Sequence, residues 1–212
     1  MDNNVTELVF ILDKSGSMHG LEDDTVGGFN SMIEDQKKQA GKVWVSTVLF
    51  SNRSEVLHDR VELENVGKMT EKEYRTGGNT ALLDAVGDAI HHIGNIHKYA
   101  RKEDVPAKTL FIIATDGMEN ASHRYSYRDV KEMIRRQEEK YGWEFVFMAA
   151  NIDAAETADE LGIRRENAAN YRYDESGTRE MYACMSAVVK QVRGKGKIDA
   201  DWSEGLNNGK KK

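Results

Sequence analysis

Residues 7–17 read Glu-Leu-Val-Phe-Ile-Leu-Asp-Lys-Ser-Gly-Ser, a run of five apolar residues that leads into an aspartate and two serines. Unbroken rather than alternating hydrophobicity is typical of a strand covered on both faces, as in a parallel sheet. We therefore predict a buried strand over residues 7–12 with a polar loop at its carboxyl end. Ligands of open α/β sheets bind at that end of the strands.

Similar apolar runs recur along the chain, with helical patterns between them. Runs rich in β-branched and aromatic residues predict further buried strands at residues 43–50, 109–114 and 145–149. Apolar residues at helical spacing predict five helices: one within 21–40, one from Thr80 onward, one after Ser126, one over 154–161 and one over 175–192.

The order of these elements predicts the class of fold. Strands that alternate with helices imply right-handed parallel crossovers. The turn at residues 51–54 leads into residues 55–59 and predicts a hairpin, which makes one edge strand antiparallel. We therefore expect an α/β fold with a doubly wound, mostly parallel, Rossmann-like sheet, one antiparallel edge strand and helices on both faces.

Length and composition bound the organisation of the chain. Its 212 residues fit one domain, which we place at residues 1–194. Glycine and lysine punctuate residues 195–212, which we expect to form a loosely held tail that Trp202 could still dock. The longest apolar runs fall far short of the roughly 20 residues of a membrane helix, so we expect no membrane span.

Charge and cysteine content narrow the expected surroundings. Acidic residues outnumber basic ones, 36 to 30, and the formal charge of −6 disfavours nucleic-acid binding. The N-terminus lacks the basic patch and apolar core of a signal peptide, and the lone Cys184 cannot form an internal disulfide. We therefore expect a cytoplasmic protein with no nucleic-acid or membrane partner, in which Cys184 is a buried, inert thiol.

The loop after the first strand carries one carboxylate and two hydroxyls, two residues apart, at Asp13, Ser15 and Ser17. Gly16 allows the tight backbone that turns both hydroxyls toward one point. Oxygen ligands suit a hard cation such as Mg²⁺, Mn²⁺ or Ca²⁺. Two later segments add to this pattern: a glycine-rich loop at residues 76–79 leads to Thr80, and the strand at 109–114 runs into Thr-Asp-Gly, with Asp116 as a second carboxylate.

Together these three segments resemble the metal-ion-dependent adhesion site of von Willebrand factor type A domains. The order of elements is similar from about Val5 to Val192, whereas the specific motifs occupy only the three short segments. The resemblance implies that the metal ligands are Asp13, Ser15, Ser17, Thr80 and Asp116. It also implies that the three hydroxyls coordinate directly, that the two aspartates coordinate directly or through water, and that one coordination position stays open.

The resemblance further implies a protein partner. Two carboxylates and neutral hydroxyls leave a divalent cation incompletely neutralised, so it still attracts an outside Asp or Glu. The chain looks similar to stand-alone prokaryotic members of the family, some of which work with AAA+ ATPases, chelatases or stress-response systems. We therefore expect a non-enzymatic, metal-dependent binding domain whose partner presents an Asp or Glu and belongs to an AAA+ ATPase or stress-response assembly.

Two other functions stay open. A metal-dependent hydrolase or phosphotransferase would use Asp13 as nucleophile, but Ser15 stands where such a site would need its second acid. A purely structural domain would keep the fold and bind no metal. No catalytic constellation or nucleotide-binding loop is recognised in the sequence.

Each motif also has a purely structural interpretation. The two serines and Thr80 could cap helices, and Asp116 with Gly117 could form a plain turn; only their coincidence argues otherwise. Asp84 lies in the first turn of its predicted helix, where the helix dipole is expected to stabilise its carboxylate. The alternative is that Asp84 is a partner of the metal loops.

Two further residue groups carry weaker signals. Glu119, Asn120 and His123 either line the rim of the site or form a polar loop. His91, His92 and His97 do not share a helix face and are expected at the surface.

Overall fold

A computed structural model of the protein describes residues 4–207. Its centre is a six-stranded sheet in the order β3-β2-β1-β4-β5-β6. All neighbouring strands are parallel except β2 and β3. The strands are β1 (Thr6–Asp13), β2 (Val43–Phe50), β3 (Ser54–Glu62), β4 (Lys108–Thr115), β5 (Glu144–Ala149) and β6 (Ala168–Asn170).

Helices cover both faces of the sheet, and each face has its own apolar core. The helices are α1 (Glu22–Lys37), α2 (Leu82–Tyr99), α3 (Tyr127–Tyr141), α4 (Ala154–Leu161), α5 (Glu175–Lys195) and α6 (Glu204–Asn207). One core joins the sheet to α1, α5 and α6, and the other joins it to α2, α3 and α4. The predicted doubly wound, mostly parallel sheet with one antiparallel edge strand is therefore confirmed.

The sheet reverses its strand order between β1 and β4. The chain moves from β1 to β2 on one side and, after β3, returns to place β4 on the other side of β1. Register aligns Leu12 with Ala114, so the loops after these two strands leave the sheet side by side. Such a switch point leaves a crevice at the carboxyl ends of the strands, where ligands bind.

Two local features of the sheet differ from the predicted pattern. β3 continues to Glu62 beyond an irregularity at Arg60, a non-glycine residue with φ 48° whose N–H donates to Ser46 Oγ at 3.1 Å. β6 was not predicted because its sequence, Ala-Ala-Asn, is short and lacks β-branched residues.

Sequence signals at the helix ends act as expected. Ser126 and Asp129 form a capping box at the start of α3, and Gly142 ends that helix in the left-handed region with φ 65°. Gly28 of α1 lies against Tyr182 of α5, where an added Cβ would be 2.4 Å from the ring. Close packing thus accounts for one glycine of the Gly27-Gly28 pair.

The C-terminal segment is not loosely held where the structure describes it. Trp202 and Leu206 are buried in the core beside α5. The indole N–H of Trp202 donates to the Glu166 carbonyl at 2.7 Å. Trp202 thus docks this part of the expected tail at 195–212, as the sequence analysis allowed, because two large apolar side chains find a site on the sheet face. Residues 208–212 of that predicted tail lie outside the described residues. Within 4–207, no helix is both long and apolar enough to cross a bilayer.

Candidate metal centre

The three predicted segments meet at the crevice between β1 and β4. Asp13 is the last residue of β1, and a 3₁₀ turn, Gly16–Met18, follows it. Asp116 directly follows β4, and Thr80 lies just before α2. The structure therefore brings all five predicted ligands to one edge of the sheet. Their role in binding a metal stays a prediction.

Hydrogen bonds join three of the five side chains, and Asp13 is bonded to the Ser15 backbone. Ser15 Oγ lies 3.0 Å from Ser17 Oγ, and the Ser17 hydroxyl donates to Asp116 Oδ1 at 2.8 Å. Asp13 accepts the N–H of Ser15 at 2.7 Å on one oxygen and the hydroxyl of Thr115 at 2.5 Å on the other. These bonds fix the orientation of both carboxylates.

The Thr80 hydroxyl lies near the Ser17 hydroxyl, and Gly117 is adjacent to both. A Cβ placed on Gly117 would lie 3.7 Å from Thr80 Oγ1 and 3.8 Å from Ser17 Oγ. The two hydroxyls therefore approach one point beside the Gly117 backbone. A side chain at this position would contact both hydroxyls.

Both carboxylates are buried, which disfavours their charged forms. Asp13 is 2% exposed and Asp116 is 1% exposed. Burial raises the pKa of Asp13 to about 6 against the lowering effect of its hydrogen bonds, and the charge of Asp116 adds to the rise. Burial also raises the pKa of Asp116, whose bond from Ser17 acts in the opposite direction. Two neighbouring buried carboxylates need a compensating positive charge.

The donor set fits a hard divalent cation. Asp116 Oδ2 is buried and has no hydrogen-bond partner, although buried polar atoms usually have one. Two carboxylates and three hydroxyls supply only oxygen, as such cations prefer. Among residues 4–207, no three His, Cys, Asp or Glu side chains cluster as a metal site, so a cation held here would need the hydroxyls as ligands.

The glycine-rich loop packs directly on the loop after β1. The N–H of Gly16 donates to the Gly78 carbonyl and that of Gly77 to the Lys14 carbonyl, both at 2.9 Å. A Cβ on Gly16 would lie 3.3 Å from the Gly78 oxygen, so the approach is tight. The Tyr74 hydroxyl also donates to the Asp13 carbonyl. These contacts hold the first two motifs together.

Helix capping does not account for the hydroxyls. Ser15 precedes the 3₁₀ turn, but its side chain makes no capping bond there. Ala81, not Thr80, is the residue at the N-terminal cap of α2. The interpretation of Ser15 and Thr80 as helix caps is therefore wrong.

Hydrogen bonds join the loop after β4 to the start of α2. The sequence left the role of this loop undecided. Asn120 Oδ1 accepts the N–H of Thr80 at 2.8 Å, and its own N–H donates to the Thr80 carbonyl at 3.0 Å. Glu119 accepts the N–H of Leu83 at 2.9 Å. Asp84 accepts the backbone N–H groups of His123, Arg124 and Tyr125. No sequence pattern pairs Asn120 with a residue 40 positions away.

The remaining candidates lie away from the centre. His92 pairs with Asp59 at 2.8 Å, whereas His97 is largely buried and pairs with the buried Glu7. The prediction of a surface position is therefore wrong for His97, because Glu7 gives it a buried partner. Cys184 is buried, and burial raises the pKa of its thiol to about 12, as expected of an inert cysteine.

No known protein-family model matches the sequence, and no curated protein matches it. Solved structures do match. A von Willebrand factor type A protein from Catenulispora acidiphila is 16% identical, with a TM-score of 0.57 over 86% of this chain and 42% of that one. VWA2, an ArnB paralogue from Sulfolobus acidocaldarius, is 14% identical, with a TM-score of 0.54 over 86% and 44%.

A third match carries a metal in its site. Proximal thread matrix protein 1 from the mussel byssus, with a zinc-occupied metal-ion-dependent adhesion site, is 13% identical, with a TM-score of 0.57 over 85% of this chain and 44% of that one. This chain spans less than half the length of each of these three chains. At such low identities the similarity concerns the fold. The chain has the fold of a von Willebrand factor type A domain.

Proposed function

We propose that this chain is a metal-dependent protein-binding domain that holds one divalent cation and grips an acidic side chain of a protein partner. Asp13, Ser15, Ser17, Thr80 and Asp116 would hold the cation, with Mg²⁺ as the first choice and Mn²⁺ or Ca²⁺ as alternatives. A bound cation would supply positive charge and an open position to an incoming carboxylate.

The unpaired oxygen of Asp116 is the observation that carries this proposal. It is buried beside a second carboxylate with a raised pKa, and no basic side chain of residues 4–207 forms an ion pair with either carboxylate. Leaving these charges uncompensated would cost free energy of folding, so a function that supplies a cation accounts for them. The zinc-occupied site of the mussel protein supports the same use of this fold.

The hydrolase alternative has less support. Asp13 is buried, and each of its carboxylate oxygens already accepts a hydrogen bond. A nucleophile needs a free path to the substrate and an oxygen lone pair directed along it. We therefore propose that the protein works by binding rather than by turnover. The AAA+ ATPase or stress-response partner stays a prediction from the sequence resemblance.

Metal titration tests the proposal. Adding MgCl₂ or MnCl₂ to chelator-stripped protein should raise the melting temperature, because binding to the folded state alone stabilises by about 2.7 kcal/mol at a hundred times Kd. Asp116→Asn should abolish the rise. Asp159→Asn, at an exposed aspartate of α4, is the matched control and should behave like the wild type.

A pull-down tests the binding function itself. Immobilised wild-type protein should retain partners from a cell extract in MgCl₂ and release them in chelator, whereas Asp116→Asn should retain none of these. An unchanged melting temperature at every metal concentration would refute the metal site. Metal binding without metal-dependent capture would refute the adhesion function alone.

A further inference from the structure

Two large apolar side chains lie exposed at the edge of the metal centre. Met118, two residues after Asp116, is 71% exposed, and Tyr173, in the loop between β6 and α5, is 39% exposed. The Tyr173 hydroxyl donates to the carbonyl of Ser17. Large apolar side chains that stay exposed beside a binding site are typical of surfaces that contact a partner.

The two side chains suit different parts of such a contact. The bond to Ser17 anchors Tyr173 on the loop that carries two of the proposed ligands, so its ring is held in place. Burial and then the charge of Asp116 raise the pKa of the Tyr173 hydroxyl, which agrees with a position close to that carboxylate. Met118 is unbranched and exposed, so it can adapt to side chains of different shape.

The charged groups near the centre are held in place by hydrogen bonds or are exposed. Glu22 accepts the Thr76 hydroxyl at 2.6 Å and the N–H of Gly20 at 2.6 Å, so its carboxylate is satisfied within the protein. Glu119 and Asp84 are likewise bound by backbone N–H groups, as described above. Arg75, in the loop that precedes Thr80, is exposed and forms no ion pair within residues 4–207. These carboxylates keep their negative charge, so the proposed cation, with Arg75, must supply the attraction for an approaching carboxylate.

We propose that the partner presents its acidic residue next to a large apolar residue in sequence, and that Met118 and Tyr173 bind this apolar side chain. The proposal rests on the metal-dependent function above and adds the specificity of the same site. The carboxylate alone would bind any exposed Asp or Glu, whereas the added apolar contact selects among them.

Immobilised peptides test this selection. The probes are Gly-Ser-Leu-Glu-Gly-Ser and Gly-Ser-Glu-Leu-Gly-Ser, each compared with the peptide that has Ala in place of Leu. Equilibrium binding of the soluble protein is measured in saturating MgCl₂ and in chelator. At least one Leu peptide should bind about fivefold to tenfold more tightly than its Ala counterpart, as expected for partial burial of one Leu side chain.

Substitutions locate the contact. Met118→Ser and Tyr173→Ser should each reduce the preference for Leu while binding to the Ala peptide persists. Tyr173→Phe keeps the ring but loses its bond to Ser17, so it should keep part of the preference. Tyr99→Ser removes a more exposed aromatic residue at the far end of α2 and serves as the control that should change nothing.

The outcomes separate the two proposals. Equal metal-dependent binding of the Leu and Ala peptides would overturn the apolar contact and leave the metal-dependent function standing. A Leu preference that survives both serine substitutions would also overturn it. No binding in MgCl₂ beyond that in chelator, for any peptide, would overturn both proposals.

Discussion

Asn120 grips Thr80 by both backbone groups: its side-chain oxygen accepts the Thr80 N–H at 2.8 Å, and its N–H donates to the Thr80 carbonyl at 3.0 Å. The first of these bonds depends on the side chain, and the second does not. Asn120 thus positions the threonine hydroxyl without touching the proposed cation. A residue in this position tunes metal affinity through the ligand that it holds.

Asn120→Ala should weaken Mn²⁺ binding about tenfold, because Thr80 loses the bond that fixes its backbone. Asn120→Asp keeps an acceptor oxygen and should restore most of the affinity. Isothermal titration calorimetry measures both, and chelator-treated melting curves check that folding changes by only about 1 kcal/mol. Wild-type affinity in Asn120→Ala would show that the bond does not position the ligand.

Asp13→Asn should stabilise the metal-free protein at pH 7. The pKa of Asp13 in the folded protein, about 6, exceeds the roughly 3.9 of an unfolded aspartate, so the folded state binds the proton more tightly. The contribution of Asp13 to the free energy of unfolding is therefore complete below about pH 4, and it is lost as the pH rises through 6. The neutral amide avoids that loss, which we expect to be about 1–3 kcal/mol.

Urea unfolding in chelator at pH 4.5 and pH 7.5 measures this effect. From pH 4.5 to pH 7.5 the free energy of unfolding of the variant should rise relative to that of the wild type. In saturating MgCl₂ the wild type should be the more stable protein, because only the wild type binds the metal tightly. Because other buried carboxylates titrate in both proteins, only the difference between them reports on Asp13. A difference that does not change with pH would contradict the raised pKa.

Gly27 and Gly28 should respond in opposite directions to alanine. A Cβ on Gly28 would lie 2.4 Å from the ring of Tyr182, so Gly28→Ala forces α1 and α5 apart and should cost about 1–3 kcal/mol. A Cβ on Gly27 meets nothing within 4 Å, so Gly27→Ala should stabilise the helix by up to about 1 kcal/mol. Denaturant unfolding of the two variants decides it, and equal effects would contradict the packing described.

Local sequence patterns were sufficient to predict the buried strands and the proposed metal ligands. Continuous apolar runs identified β1 and β4 because both strands are covered on both faces, and motif spacing within short loops identified the proposed ligands. Thr115 and Asn120 could not be assigned in this way, since their roles arise from contacts with Asp13 and Thr80, 102 and 40 positions away. In the sequence, Thr115 and Asn120 do not differ from any other threonine at a strand end or asparagine in a loop.

The C-terminal segment shows the same limit. Glycine and lysine after α5 gave it the composition of a loose tail, yet Trp202 inserts beside α5 and its carbonyl accepts the thiol of Cys184 at 3.1 Å. The composition of the segment reflects the residues around Trp202 and Leu206. The burial of the single Trp202 indole, however, determines whether the segment packs on the domain. The burial of one aromatic side chain offsets the cost of ordering a few loop residues only when a matching site exists.

Trp202→Ala should therefore destabilise the whole domain by about 3–5 kcal/mol, because it removes a buried indole together with its bond to the Glu166 carbonyl. Tyr141→Ala removes a mostly exposed aromatic side chain at the end of α3 and should cost far less. Urea unfolding compares the two variants, and limited proteolysis should cleave after residue 195 only in Trp202→Ala. Unfolding midpoints for Trp202→Ala and the wild type that coincide would mean that the segment contributes nothing to the core, in conflict with the burial of Trp202 and Leu206.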